Sequence, residues 1–261
     1  MGSRITPRGI LIDLDGVLYV GDEPITGARE ALQMLKEQGL KRAFITNTTT
    51  KPAAEVHAKL ARLGFAIGEA EVFSAVSATR AFLQQAGVTR VRLVVRESVR
   101  PEFAGFEETE DRPEAVVIGD IGAAWDYPLL NSVFRDLMDG ARFVAMHRNK
   151  FFQTADGLAM DIGAFVAGLE HVSGVSATVV GKPAKPFFQS ALAHLGLTPE
   201  ETLIVGDDVE TDVGGAQRAG LTGLLVRTGK FRDATLASSE VAPDAVLDSF
   251  ADLPAWLDRR T

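Results

Sequence analysis

The amino-acid sequence predicts an α/β protein in which helices flank a parallel sheet. Short apolar runs of the kind that form buried strands recur along the whole chain. Segments with helical periodicity lie between several of these runs, an order typical of parallel sheets with crossover helices. The chain has 261 residues, 46% of them hydrophobic and 24% charged. This composition is that of a globular protein large enough to bury a core without disulfides.

Eight apolar runs predict the strands, and amphipathic spacing predicts helices over Ala28–Glu37 and residues 187–195. The predicted strands are residues 9–12, 43–45, 91–95, 115–118, 143–146, 177–180, 203–205 and 223–226. Glycines follow the predicted helices, where positive φ ends a helix at little cost. These glycines are Gly39, Gly64, Gly87, Gly140, Gly174, Gly196 and Gly220. Residues 96–113 are the least regular and predict a loop with one helical turn.

Composition excludes several function classes. The chain has no cysteine, which excludes thiol catalysis, cysteine-based zinc sites and iron–sulfur clusters, and fits a reducing compartment. It has 35 acidic against 27 basic residues, a formal charge of −8, which argues against a nucleic-acid partner. Its apolar runs are too short for a signal peptide core or a membrane span. We therefore expect a soluble, cytoplasmic protein with neither a membrane nor a nucleic acid as partner.

Carboxylates follow two of the predicted strands. Asp13 and Asp15 come after one, and Asp207, Asp208 and Asp212 come after another. Ligands of open α/β sheets bind at the carboxyl ends of strands. Two charges 4 Å apart repel by roughly 4 kcal/mol at an effective dielectric constant of 20, so such a cluster holds a proton or a cation. Oxygen donors without histidine or cysteine favour Mg²⁺. A strand-ending turn for the first pair and helix capping for Asp212 are the structural alternatives.

Two more strand ends carry groups that suit a phosphate. Thr46 and Asn47 follow one, and Lys182 lies between Gly181 and Pro183 at the end of another. Helix capping is the alternative for the threonines that follow Asn47, and a solvated surface position is the alternative for Lys182. Metal and lysine together would offset a phosphate dianion. One carboxylate could then attack phosphorus while a second protonates the leaving oxygen.

The four segments resemble the motifs of the haloacid dehalogenase superfamily, in the order in which its phosphatases carry them. The resemblance implies a Rossmann-like core, with Asp13 as the nucleophile and Asp15 as the acid/base. It implies that Thr46, Asn47 and Lys182 bind phosphate. It also implies that Asp13, the Asp15 carbonyl and Asp207 bind Mg²⁺. Asp212, or alternatively Asp208, would support these ligands without binding the metal directly.

The 134 residues between Asn47 and Lys182 exceed any connecting loop and predict an inserted domain. We expect a core of residues 1–79 and 180–261 and a cap of residues 80–179. The cap is similar to the large α/β cap of the superfamily's NagD-like and pyridoxal-phosphatase-like branch (subclass IIA, cap type C2). Segments around Lys182 and residues 213–218 and 226–232 resemble the phospholysine phosphohistidine inorganic pyrophosphate phosphatase group of that branch.

In the cap, His147 and Asp161 are candidates for contacting a leaving group, the alternatives being an exposed loop histidine and the N-cap of a helix over residues 162–170. We expect a Mg²⁺-dependent phosphatase that hydrolyses small phosphorylated metabolites through an aspartyl phosphate. A phosphomutase or other phosphotransferase, and a non-enzymatic phosphate-binding module, are the alternatives. Homodimer formation and the choice among phosphomonoester, pyrophosphate and phosphoramidate substrates stay open.

Overall fold

The computed structural model describes residues 7–154 and 157–259, which divide into two compact units. The first unit comprises the described residues of Met1–Thr46, Ala53–Phe73 and Lys182–Thr261. The second comprises those of Asn47–Pro52 and Ser74–Gly181. The chain thus leaves the first unit and returns to it.

Strands and helices alternate along both units. The strands are β1 (Gly9–Asp13), β2 (Tyr19–Val20), β3 (Glu23–Pro24), β4 (Lys41–Thr46), β5 (Val72–Ser74), β6 (Arg90–Val94), β7 (Glu107–Glu108), β8 (Ala115–Ile118), β9 (Arg142–Ala145), β10 (Phe151–Thr154), β11 (Gly157–Met160), β12 (Thr178–Val179), β13 (Thr202–Gly206), β14 (Thr222–Val226) and β15 (Ala245–Leu247). The helices are α1 (Ala28–Glu37), α2 (Ala53–Arg62), α3 (Ala75–Gln85), α4 (Tyr127–Met138), α5 (Gly163–Ser173), α6 (Lys185–Leu195), α7 (Gly215–Arg218), α8 (Asp233–Ser238) and α9 (Leu253–Asp258).

The first unit is built on a six-stranded sheet in the order β15-β14-β13-β1-β4-β5. Strand β1 runs parallel to both of its neighbours, with Ile12 opposite Val205 of β13 and Phe44 of β4. All five residues of β1 are buried, as expected of a strand covered on both faces. The carboxyl ends of β1, β13 and β4 therefore lie side by side at one edge of the sheet.

The second unit has its own five-stranded sheet, in the order β12-β9-β8-β6-β7, in which all four pairs are parallel. Its core includes Val116, Ile118 and Phe143, packed with residues of α4 and α5. An antiparallel hairpin of β10 and β11 follows β9. The second unit is therefore an α/β unit with its own sheet and hydrophobic core.

The structure confirms the predicted α/β class and the eight predicted strands, each within two residues at either end. Helix α1 has the predicted bounds, and the seven glycines expected to end helices all have positive φ. Residues 96–113 hold more structure than one turn, because a 3-10 helix over Glu97–Phe103 precedes strand β7. In the described residues, no helix is both long and apolar enough to cross a membrane.

Candidate active site

Strand β1 ends at Asp13, whose side chain is buried against a lysine. The Lys182 Nζ donates to Asp13 Oδ1 at 2.8 Å and to Asp212 Oδ1 at 2.7 Å. Lys182 is only 3% exposed. Burial disfavours its charged form, but the two carboxylates outweigh burial and raise the pKa of Lys182. The lysine is therefore a permanently charged group at the centre of the site and not a solvated surface residue.

Three buried carboxylates converge here. Asp13, Asp207 and Asp212 each offer an oxygen, and these oxygens lie within 4.8 Å of one another. Burial, then the charges of Asp13 and Asp212, raises the pKa of Asp207 to about 7. Burial and the charge of Asp13 likewise raise the pKa of Asp212 to about 6. Asp207 and Asp212 thus resist ionising beside Asp13 without a further cation.

One atom of the cluster lacks a partner. Asp207 Oδ1 is buried and accepts no hydrogen bond from any described residue, whereas Asp207 Oδ2 accepts one from the Lys230 N–H at 2.7 Å. An unpartnered buried carboxylate oxygen is costly unless it binds a proton or an ion. The donors are all oxygens, so the residues present fit a hard divalent cation such as Mg²⁺.

Glycines allow the loops to approach these carboxylates. Gly16 and Gly229 both have positive φ, and a Cβ on either would collide with Asp207 Oδ2. A Cβ on Gly206 would collide with the Asp212 side chain. The Thr228 hydroxyl also donates to the Gly16 carbonyl, which joins the loops after β14 and β1. The backbone of Gly16 and Gly229 therefore lies directly against Asp207 Oδ2.

Asp208 and Asp212, which both follow β13, make different contacts. Asp208 Oδ1 accepts hydrogen bonds from the N–H groups of Glu210 and Thr211, at 3.1 and 2.9 Å, and so caps the π-type turn Val209–Gly214. Asp212 lies one turn later, is 1% exposed and faces Lys182. Capping by Asp208 lets Asp212 point into the site.

Asp15 lies beyond the end of β1, in a turn closed by the Gly16 N–H donating to the Tyr19 carbonyl at 2.7 Å. The alternation of side chains along β1 therefore ends before Asp15 and does not determine the direction of its side chain. Asp15 is exposed, yet partial burial and the Asp13 charge raise its pKa above the usual value, opposed by Lys59 and Lys230. It remains electrostatically coupled to Asp13.

The predicted phosphate-binding residues of β4 fall at a unit boundary. Thr46 is the last residue of β4 and of its segment in the first unit, and Asn47 begins the second unit. In that second unit, a Cβ on Gly181 would lie 2.8 Å from Asn47 Oδ1. The Thr49 hydroxyl accepts a hydrogen bond from the Asp120 N–H at 3.3 Å. Thr49 thus contributes a hydrogen bond within the second unit.

His147 and Asp161 form a buried pair within the second unit, at 4% and 6% exposure. His147 Nε2 lies 3.7 Å from Asp161 Oδ1, and its Nδ1 accepts from the Asn149 N–H at 3.3 Å. Burial lowers the pKa of His147. Asp161 precedes Ile162, the residue at the N-cap of α5, and accepts from its N–H. The structure thus brings His147 and Asp161 into contact with each other.

Lys230 is the residue near this site that sequence reasoning did not assign. It follows a glycine after a strand, as Lys182 does, and Gly-Lys occurs only at these two places in the chain. This repeated Gly-Lys dipeptide is the sequence signal from which a position of Lys230 near the site could have been predicted.

Comparisons with known proteins identify the family of this chain. A haloacid dehalogenase-like hydrolase model matches residues 10–107, and a HAD-hydrolase-like model matches residues 179–253. Haloacid dehalogenase-like hydrolase domain-containing protein 2 of Bos taurus is 41% identical over 250 residues, covering 96% of this chain and 95% of that protein. Phospholysine phosphohistidine inorganic pyrophosphate phosphatase of Homo sapiens is 38% identical over 258 residues, covering 96% and 94%.

Two solved structures match the fold over nearly their whole length. The p-nitrophenyl phosphatase from Archaeoglobus fulgidus has a TM-score of 0.89 at 28% identity, covering 96% of this chain and 99% of that one. NagD from E. coli K-12 has a TM-score of 0.87 at 27% identity, covering 95% and 98%. The chain belongs to the haloacid dehalogenase superfamily, in its subclass IIA phosphatases. Within that class it is a phosphoric monoester hydrolase with a Rossmann-like core and a cap.

Proposed function

We propose that this enzyme is a Mg²⁺-dependent phosphatase of small phosphorylated metabolites that forms an aspartyl phosphate on Asp13. The observation that carries the proposal is the buried contact of Asp13 with Lys182, beside the unpartnered oxygen of Asp207. A carboxylate held by a fixed cation at the end of a central strand is positioned to attack phosphorus.

The proposed covalent step uses Asp13 and Asp15. A carboxylate oxygen of Asp13 forms a bond to phosphorus while the bond from phosphorus to the leaving oxygen breaks, and Asp15 gives that oxygen its proton. Asp15 then takes a proton from the water that attacks the aspartyl phosphate, which releases inorganic phosphate and restores Asp13. The raised pKa of Asp15 increases its protonated fraction and suits the first of these roles.

Binding roles complete the proposal. Mg²⁺ would be held by the carboxylates of Asp13 and Asp207 with the Asp15 carbonyl, and would supply positive charge to the transferred phosphoryl group. Lys182 supplies a second fixed charge, and we assign Thr46 and Asn47 to hydrogen bonds with phosphate. Asp212 supports the site by holding Lys182, at 2.7 Å.

The test is a panel of phosphomonoesters, a phosphoramidate and inorganic pyrophosphate, assayed with Mg²⁺ and with EDTA. We expect hydrolysis that requires Mg²⁺ and falls by at least about 1,000-fold in Asp13→Asn. The exposed Asp139→Asn serves as the matched control and keeps full activity. Unchanged turnover in Asp13→Asn would refute the assignment of the nucleophile.

The intermediate has its own measurement. Acid-quenched wild-type enzyme, taken during turnover, should carry one added phosphoryl group by intact mass spectrometry, and Asp13→Asn should carry none. Adding alcohol acceptors distinguishes hydrolysis from phosphoryl transfer, since a phosphotransferase would yield new esters in place of inorganic phosphate.

A further inference from the structure

The turn that carries Asp15 is joined to a short hairpin. The Gly16 N–H donates to the Tyr19 carbonyl at 2.7 Å, and a β-bridge links Asp15 with Tyr19. At Tyr19 the chain enters the antiparallel hairpin of β2 and β3, which has two residue pairs. A two-stranded hairpin is marginally stable at best when it stands alone in water. The conformation of the Asp15 turn therefore depends on what holds this hairpin.

The hydrophobic core holds the start of the hairpin and leaves its tip in solvent. Leu18 and Tyr19 are buried and belong to the core of the first unit. Residues 20–23, which form the tip, are all exposed. The tip therefore needs a contact of another kind to stay in place.

A lysine of helix α2 supplies such a contact. Lys59 Nζ donates to the Gly21 carbonyl at 2.8 Å and lies 3.5 Å from Asp22 Oδ1. The same ammonium group lies 4.1 Å from the centroid of the Tyr19 ring. The Asp22 side chain is 87% exposed, so its ion pair contributes little. Lys59 thus joins the hairpin to α2 through a hydrogen bond and a cation–π contact.

These contacts bear on proton transfer because Asp15 lies beyond the end of β1 and the sheet does not fix it. A general acid must lie within hydrogen-bond distance of the leaving oxygen, and a displacement of about 1 Å can lower a rate by about 100-fold. Lys59 contacts the Tyr19 ring, and the Tyr19 carbonyl accepts from the Gly16 N–H, next to Asp15. Movement of the hairpin would therefore displace the acid.

We propose that Lys59 is a positioning residue for Asp15, which holds the β2–β3 hairpin on α2 and so keeps the Asp15 carboxyl group in place for proton transfer. This inference rests on the proposed function, in which Asp15 is the acid. A lysine in the last turn of a helix also interacts favourably with the helix dipole, which would affect stability alone. Lys36 is exposed in the last turn of α1 and provides a matched control for that effect.

The kinetic test compares kcat/KM for propyl phosphate with kcat/KM for p-nitrophenyl phosphate in the presence of Mg²⁺. Lys59→Met should lower the value for propyl phosphate by about 10- to 100-fold and the value for p-nitrophenyl phosphate by less than about 3-fold, because a phenolate needs little protonation. Lys59→Arg should keep most of the activity, since a guanidinium group also binds carbonyls and aromatic rings. Lys36→Met should leave both values unchanged.

A double variant shows whether Lys59 acts through Asp15. Asp15→Asn combined with Lys59→Met should lose no more activity on propyl phosphate than Asp15→Asn alone, since no acid is then left to position. Losses that multiply in the double variant would overturn the inference, as would equal losses on the two esters in Lys59→Met.

Amide hydrogen exchange tests the position of the turn without any turnover. The Gly16 N–H should exchange at least about 10-fold faster in Lys59→Met than in the wild type, and at the wild-type rate in Lys36→Met. Its increase should exceed that of the Leu11 N–H in β1, since a loss of stability alone would affect both amides. If the wild type hydrolyses neither ester, the proposed function fails, and this faster exchange would still uphold the contact by which Lys59 holds the turn. Equal Gly16 exchange in the wild type and in Lys59→Met would overturn the inference.

Discussion

Replacing Lys182 by Met removes the ammonium group that bonds both Asp13 and Asp212, and leaves two carboxylates buried against an apolar side chain. Each ion pair, at 2.8 and 2.7 Å, is worth about 6 kcal/mol by Coulomb's law at an effective dielectric constant of 20. Desolvation of the buried lysine offsets several kcal/mol of that attraction. We expect a net loss of about 3–5 kcal/mol in the free energy of unfolding, as for other broken buried ion pairs.

The assay is urea denaturation at pH 7.5 in EDTA, because a bound divalent cation would mask the effect. The exposed Lys185→Met, three residues further on, is the matched control and should lose less than about 0.5 kcal/mol. Lowering the pH should recover part of the loss in Lys182→Met, since protonation removes the unpaired charges.

The double variant Lys182→Met with Asp212→Asn tests whether the ion pair between Lys182 and Asp212 causes the loss of stability. Removing one orphaned carboxylate should make the double variant more stable than the sum of the two single losses predicts, by about 1.5 kcal/mol or more. Additive losses, or a loss below about 1 kcal/mol in Lys182→Met alone, would refute the reasoning that the site is held by these ion pairs.

Three further predictions concern pH, proton transfer and glycine. The folded pKa of Asp207 is about 7 against an unfolded 3.8, so the folded state binds more protons, and stability in EDTA should fall as pH rises through this window, with Asp207 contributing at most about 4 kcal/mol. Urea titrations should show a smaller fall with Mg²⁺ and in Asp207→Asn, the raised pKa of Asp212 accounting for what remains in the variant. An undiminished fall in Asp207→Asn would contradict the prediction. Asp15→Asn should reduce turnover of alkyl phosphates by about 100-fold or more and of p-nitrophenyl phosphate by less than about 10-fold, because a phenolate needs little protonation, and equal losses would remove its acid role. Gly16→Ala should weaken Mg²⁺ binding, measured by calorimetry, because its Cβ would collide with Asp207. Gly21 also has positive φ but has open space around it, so Gly21→Ala should lose only about 1–2 kcal/mol in the free energy of unfolding. Equal Mg²⁺ affinities of the two variants would show that the collision with Asp207 is unimportant.

The central strands were predictable because a parallel strand covered on both faces must be apolar throughout. Residues 10–12 and 203–205 are such runs, and the position of Asp13 and Asp207 at their ends follows directly. The strands that sequence reasoning missed lack this signal. Glu107–Glu108 is charged, Glu23–Pro24 contains proline, and Ala245–Leu247 has three residues, too few for a pattern.

The composition of the site was more predictable than its internal contacts. Strand ends indicate which side chains gather at one edge of the sheet, but not which of them bond to each other. The division of labour between Asp208 and Asp212 depends on the π-type turn, which no spacing rule distinguishes from an ordinary helix start. The place of Lys230 depends on how the loop after β14 rests on Gly16, a tertiary contact between segments more than 200 residues apart.

These contacts give the cluster no advantage for the stability of the fold. A buried lysine with three carboxylates stabilises a fold no better than apolar residues of the same volume would. Asp207 adds an oxygen that receives no hydrogen bond from the described part of the chain, which lowers stability further. The apolar strands on either side, with Ile10, Leu11 and Ile12 fully buried, supply the stability that lets the site keep this unfavourable arrangement. Under the proposed function, a cation and a phosphate would make this arrangement favourable, and the recovery of stability on adding Mg²⁺ would measure how far the site is preorganised for them.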